Sequence, residues 1–113
     1  MKFKNIEEAK KSLIEVILME YIGMLTDDDK IQEKNIKIAY KINDFIKNNF
    51  DLKDMKDLLN HEIPKVQIWA ANMLLPIYED ISLKLLDDIS KKEIPHCSFN
   101  AEMMIKNWKR KKT

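Results

Sequence analysis

An internal repeat of 31 residues constrains the fold of this chain more than any other feature. When residues 52–78 are shifted onto residues 83–109, eight of the 27 positions are identical, whereas an arbitrary register gives roughly two. The identical pairs are Leu52/Leu83, Lys53/Lys84, Asp57/Asp88, Glu62/Glu93, Ile63/Ile94, Pro64/Pro95, Ala70/Ala101 and Met73/Met104. Repeats of this length are typical of stacked helical units, in which each unit packs on its neighbours.

The spacing of apolar residues predicts six helices. A single glycine and three prolines leave few tight turns, and this favours helix over strand. The helices are predicted at about residues 6–24, 26–49, 52–59, 64–75, 81–90 and 99–110. Asn5, the acidic turn 27–29, Asp51 and Pro64 mark their starts, whereas Gly23 should loosen the end of the first helix. The apolar stripe of that helix is Ile6, Ala9, Leu13, Val16, Ile17 and Leu25.

Pairing these helices in order predicts three helical hairpins, at about residues 6–49, 51–76 and 80–110. Ala39, Ala70 and Ala101 follow one another at intervals of 31 residues, and a small residue at one helical position lets neighbouring helices approach closely. We therefore predict an all-α fold in which residues 1–113 form a single domain. The expected architecture is a HEAT-like stack of three hairpins, which is a short α-solenoid.

Composition and charge set the expected surroundings of the chain. Hydrophobic residues make up 45% and charged residues 35% of the chain, enough for a core and a solvated surface. Apolar runs reach only four residues, well short of the roughly 20 that a membrane span needs. A signal-peptide pattern is missing, and the single cysteine, Cys97, forms no internal disulfide. These features predict a cytoplasmic protein outside the membrane.

Basic and acidic residues almost balance, at 20 and 19, which gives a net charge of +1. Arg110 is the only arginine, although the arginine fork is favoured for phosphate and base recognition. Nucleic acid is therefore disfavoured as a partner, and basic side chains aligned in rows would be needed to support it.

Few residues suggest chemistry. His96 and Cys97 are adjacent, and neighbouring side chains seldom face each other as a catalytic pair requires. Together with His61 they fall one ligand short of a usual zinc set, unless Glu62 or Glu93 joins them. Cys97 aligns with Val66 in the repeat, which favours a small buried residue. The sequence predicts no catalytic residue, no cofactor and no metal site, and hence no enzyme.

The residues of the repeat resemble a known group of proteins. Residues 64–71 (PKVQIWAA), residues 99–103 (FNAEM) and the pair Trp108-Lys109 resemble a small bacterial HEAT-like family, catalogued as a domain of unknown function (number twenty-nineteen). That family has an acidic residue where this chain has Asn100. The resemblance implies a helical-repeat fold without established catalytic residues, and some such proteins are encoded beside toxins as immunity or accessory proteins.

We therefore predict a non-catalytic protein-binding module, with an immunity-type protein that neutralises a toxin as the specific form. The alternative is a nucleic-acid-binding HEAT-like protein. Corresponding positions of the second helices form three rows on the concave side of the stack, and we predict that this side is the binding surface. Its predicted anchors are Ile68, Trp69 and Met103. The rows are Lys37, Ile68 and Phe99; Lys41, Asn72 and Met103; and Asp44, Leu75 and Lys106. An alternative places Ile68, Leu75 and Met103 in the core, and core packing is also favoured for Trp69 and Trp108.

Overall fold

The computed structural model describes residues 2–112, and all regular structure within them is helical. The elements are α1 (Ile6–Leu25), α2 (Asp29–Asn49), a 3-10 helix (Leu52–Asn60), α3 (Pro64–Leu74), α4 (Glu79–Ser90) and α5 (Ser98–Lys112). The described residues contain no strand, so the prediction of an all-α fold is confirmed. The solenoid arrangement stays a prediction.

Two compact units divide the chain, one ending at Met55 and the other beginning at Lys56. In the first unit α1 packs against α2, and in the second α4 packs against both α3 and α5. The core of the first unit includes Leu13, Ile17 and Ile42, all fully or almost fully buried. The single domain predicted for residues 1–113 stays a prediction.

The predicted helix starts are confirmed by hydrogen bonds to their caps. The Glu8 amide donates to Asn5 Oδ1 over 2.9 Å, and the Ile31 amide donates to Asp28 Oδ1 over 3.1 Å. Asp51 Oδ1 accepts from the Lys53 amide at 2.9 Å, at the start of the 3-10 helix. Each of these carboxylate or amide oxygens satisfies an amide that the helix itself leaves without a partner.

The third predicted helix is a 3-10 helix. The Asp54 amide donates to the carbonyl of Asp51, three residues earlier, over 3.0 Å. Residues three apart lie above one another on a 3-10 helix, and this brings Met55 and Leu58 into one buried line. The apolar spacing is compatible with both helix types, so the sequence alone did not distinguish them.

Gly23 has a role different from the predicted one. It is buried within α1, and a Cβ atom there would lie 2.7 Å from the backbone nitrogen of Gln32 in α2. The Asp28 amide also donates to the Gly23 carbonyl over 2.8 Å. Gly23 therefore permits the close approach of α1 and the first turn of α2, and it does not loosen the helix end.

Burial follows the 31-residue repeat. Equivalent positions are buried in both copies, namely Met55/Leu86, Leu58/Ile89, Val66/Cys97 and Ala70/Ala101. The equivalent residues Gln67 and Ser98 both donate to a backbone carbonyl, but to carbonyls one repeat position apart: Gln67 Nε2 donates to Leu59 (2.9 Å) and Ser98 Oγ donates to Ile89 (2.7 Å). The two copies therefore share part of their core pattern.

The two copies differ at the turn before the last helix. Pro64 is the first residue of α3, whereas α5 begins three residues after the equivalent Pro95. In this longer turn Glu93 and His96 have φ angles of 55° and 63°, in the left-handed region. Ser98 Oγ accepts from the Ile94 amide over 2.8 Å, which stabilises the turn that the first copy does not need.

Candidate functional site

The predicted row residues of α2 lie on its exposed face. Lys37, Lys41 and Asp44 are all exposed, and spacings of four and three residues put them on one side of the helix. The opposite side buries Ala39, Ile42 and Ile46. Their exposure agrees with the surface position predicted for them, and their part in binding stays a prediction.

Two further lysines extend this face towards the start of α2. Lys30 and Lys34 are exposed and precede Lys37 by seven and three residues, so that four ammonium groups share one side of the helix. We name Lys30, Lys34, Lys37 and Lys41 the lysine row. It extends over about 16 Å of helix axis. Within residues 2–112 none of the four side chains forms an ion pair or hydrogen bond.

The predicted row residues of α3 are mostly in the core. Ile68, Trp69 and Leu75 are 0%, 5% and 2% exposed, and only Asn72 is on the surface. A helix with apolar residues on nearly every side is surrounded by other parts of the protein. The prediction that Ile68, Trp69 and Leu75 lie on the binding surface is therefore corrected, and the alternative that places Ile68 and Leu75 in the core holds.

The row residues of α5 are all accessible, and two of the three are apolar. Phe99 is 71% exposed, Met103 is half-buried, and Lys106 is exposed and paired with Glu102 at 3.2 Å. Spacings of four and three residues align Phe99, Met103 and Lys106 along one side of α5. We call these three residues the α5 face.

A groove of about 420 Å³ lies beside the α5 face, between α4 and α5. Its lining residues are Asp87, Ser90, Glu102, Ile105, Lys106 and Lys109. Asp87 forms an ion pair with Lys91 at 2.9 Å and raises the pKa of that ammonium group. The groove therefore offers an apolar floor at Ile105 with carboxylates and ammonium groups at its edges, a composition found at the rim of protein interfaces.

A carboxylate of α4 holds the end of α5. Trp108 Nε1 donates to Glu79 Oε2 over 2.6 Å, Lys112 forms an ion pair with the same carboxylate, and the Lys112 ammonium lies 5.4 Å from the centre of the Trp108 ring. The hydrogen bond from Lys112, and then that from Trp108, holds the pKa of Glu79 below its ordinary value. Because these donors already bind the carboxylate, we assign Glu79 a structural role. We assign the same role to the half-buried Trp108, which is one of the donors.

The histidines and the cysteine have separate contacts. His61 Nδ1 accepts from the Ile63 amide at 3.1 Å, and the His96 carbonyl accepts from the buried Lys65 ammonium at 3.3 Å. Cys97 is fully buried at the position equivalent to Val66, as the repeat predicts. Residues 2–112 contain no group of three or more His, Cys, Asp or Glu side chains arranged to hold a metal ion.

Comparisons with known proteins supply no relative. No family model matches the chain, and neither the curated proteins nor the solved structures contain a match. The resemblance to HEAT-like proteins stays a prediction. Among the described helices, none combines the length and apolar character that crossing a membrane requires.

Proposed function

We propose that this chain is a non-catalytic protein-binding module whose α5 face contacts the partner. The observation that carries the proposal is the exposure of Phe99, which leaves 71% of this residue in water. Burying a phenylalanine side chain contributes roughly 1.5–3 kcal/mol, so the exposed ring is a source of binding energy that the fold does not use. Aromatic residues are enriched at the energetic centres of interfaces.

The surroundings of Phe99 support a helix-in-groove contact. Met103 follows Phe99 by one helical turn, and its flexible side chain adapts to different apolar surfaces. Lys106 and Glu102 lie further along the helix and form an ion pair that suits a polar rim. The partner that fits this face has an apolar pocket for Phe99. The specific role that we propose is that of an immunity-type protein, which neutralises a toxin domain by binding it. The fold that we propose for this role is a HEAT-like stack of helical hairpins.

An affinity capture with point variants tests this proposal. The wild-type chain should retain a protein from the lysate of its host, and Phe99→Ala should weaken that binding by at least about 30-fold. Ile81→Ala is the matched control, because Ile81 is a 48% exposed apolar residue of α4. Equal binding by Phe99→Ala and the wild type would exclude the α5 face as the interface.

The lysine row favours nucleic-acid binding as a second candidate function. Four ammonium groups along about 16 Å can approach successive phosphates, and each neutralised phosphate contributes about 0.9 to the salt dependence of binding to duplex DNA. Binding of labelled duplex DNA should then weaken with salt, with a logarithmic slope of up to about −3.6. Substituting Lys34 and Lys37 by Gln should reduce the slope by about two, whereas Lys84→Gln with Lys92→Gln should not. If the variant with Lys34→Gln and Lys37→Gln had the same slope as the wild type, the lysine row would be excluded as a DNA-binding surface.

A further inference from the structure

The last helix carries the excess positive charge of the chain. Between residues 98 and 112, α5 has five cationic side chains and one carboxylate, so its net charge is +4, whereas the whole chain has +1 and the remaining residues therefore have −3. The five cations, all exposed, are Lys106, Lys109, Arg110, Lys111 and Lys112. A helix dipole places only about half of a negative charge at the C-terminal end, so it accounts for one of these cations and not for five.

The two carboxylates of the groove between α4 and α5 already have partners within the chain. Asp87 pairs with Lys91 at 2.9 Å, and Glu102 pairs with Lys106 at 3.2 Å. Lys109 lines the same groove. In the part of the chain that the structure describes, the Lys109 ammonium has neither an ion pair nor a hydrogen bond. The groove therefore presents an ammonium group without a counter-charge beside its apolar floor.

We propose that the partner of α5 presents an acidic peptide segment, which lies in this groove with one carboxylate on Lys109. The proposal rests on the protein-binding function proposed above and specifies the chemistry of the partner. A second carboxylate of the segment competes with Glu102 for the Lys106 ammonium, and an apolar side chain contacts Ile105. Lys106 follows Phe99 by seven residues on the same side of α5, about 10 Å along the axis, so the acidic segment continues from the surface that binds Phe99.

The charges of the groove favour a peptide over a nucleic acid. A nucleic-acid strand carries a negative charge at every nucleotide, and part of it would lie against the carboxylates of Asp87 and Glu102. An acidic peptide carries its charges only at selected positions, so it can place carboxylates on Lys109 and Lys106 and an apolar residue between them. Complementary charges of this kind select one class of partner and repel others.

Fluorescence anisotropy of a labelled synthetic peptide that repeats Glu-Glu-Leu three times tests the proposal on the full chain. The wild type should bind this peptide with a Kd below about 1 mM. Raising the NaCl concentration from about 50 mM to about 500 mM should weaken binding at least about fivefold, because salt screens exposed charges. A peptide that repeats Gln-Gln-Leu, and single-stranded oligothymidylate, should both bind more weakly than the acidic peptide.

Three single variants locate the contact on α5. Lys109→Gln should raise the Kd about two- to fivefold, as expected for one exposed ion pair. Lys111→Gln is the matched control: it removes the same charge from the same helical turn, but about 200° further round the helix, and should leave the Kd nearly unchanged. Glu102→Gln should lower the Kd about two- to fivefold, because it releases Lys106 for the peptide. Unchanged far-UV circular dichroism verifies that each variant is folded.

The inference and the proposed function fail in different ways. Absence of binding by the acidic peptide, equal effects of Lys109→Gln and Lys111→Gln, an unchanged Kd in Glu102→Gln, or tighter binding of oligothymidylate would each overturn the inference. Capture of a host protein that is lost in Phe99→Ala but unaffected by Lys109→Gln would also overturn it, and would leave the proposed function standing. Peptide binding through Lys109, together with capture that Phe99→Ala does not weaken, would support the acidic segment and remove Phe99 as the anchor.

Discussion

Replacing Gly23 by alanine tests the packing of α1 on α2. The added Cβ would lie 2.7 Å from Gln32 N, 3.0 Å from Gln32 Cα and 3.1 Å from the Asp28 carbonyl oxygen. Carbon atoms normally stay about 3.5–4.0 Å from such neighbours. Because all three are backbone atoms, no side-chain rotation relieves the overlap, and the first turn of α2 has to move.

Two opposing effects determine the size of the change. Alanine is favoured over glycine inside a helix by about 1 kcal/mol, and this would stabilise the variant. Overpacking costs typically about 1–3 kcal/mol. Movement of α2 also weakens the hydrogen bond from the Asp28 amide to the Gly23 carbonyl (2.8 Å), which contributes about 1 kcal/mol. We therefore expect a net loss of about 1–3 kcal/mol in the free energy of unfolding.

Urea unfolding followed by circular dichroism measures this loss. Glu15, which is exposed on the same helix, provides the matched control, because Glu15→Ala and Glu15→Gly differ in helix propensity without a packing change. The Glu15→Ala variant should be more stable than the Glu15→Gly variant, whereas the Gly23→Ala variant should be less stable than the wild type. If alanine is favoured by about 1 kcal/mol at both positions, the close approach of α1 and α2 is refuted.

Two further predictions concern the second unit. The lowered pKa of Glu79 means that its ionised form stabilises the fold above the ordinary pKa of 4.5, and this contribution is lost as pH falls through the folded pKa. Glu79→Gln should therefore lower the Tm at neutral pH, and its Tm should converge with that of the wild type in acid; a difference independent of pH would contradict the assignment. Ala70→Leu should overpack the core by about 1–3 kcal/mol, because Ala70 is 1% exposed, whereas Asn72→Leu on the surface of the same helix should not; coincident urea midpoints for Ala70→Leu and the wild type would disprove this.

Local signals in the sequence predicted the helices and their caps. Asn5, Asp28 and Pro64 act through contacts with residues at most three positions away, so their effects are visible in the sequence itself. Burial depends in addition on which element covers a helix face. Leu25 belonged to the predicted apolar stripe of α1 and is 52% exposed. The periodicity identified the helix but not the limit of the surface that α2 covers.

The candidate site was harder to predict for the same reason. The repeat register placed Ile68 and Phe99 at equivalent positions, which suggested equal exposure in both copies. In the structure α3 is apolar on nearly all sides and buried, whereas Ala101 is the only buried residue of α5 within residues 98–112. The lysine row was visible only in part, because the rows predicted from the sequence included Lys37 and Lys41 but not Lys30 and Lys34.

Alanine variants at Ile68 and Phe99 distinguish a residue that stabilises the fold from a residue that is available to bind a partner. Both residues occupy the same repeat position, but Ile68 is fully buried and Phe99 is 71% exposed. Ile68→Ala removes buried methylene and methyl groups and leaves a cavity, so it should lower the free energy of unfolding by about 2–5 kcal/mol. Phe99→Ala should change it by no more than about 0.5 kcal/mol, because most of the ring contacts only water. Urea unfolding of the two variants measures both values. A large loss of stability in Phe99→Ala would make the ring part of the fold and would remove the reason for assigning it to a partner.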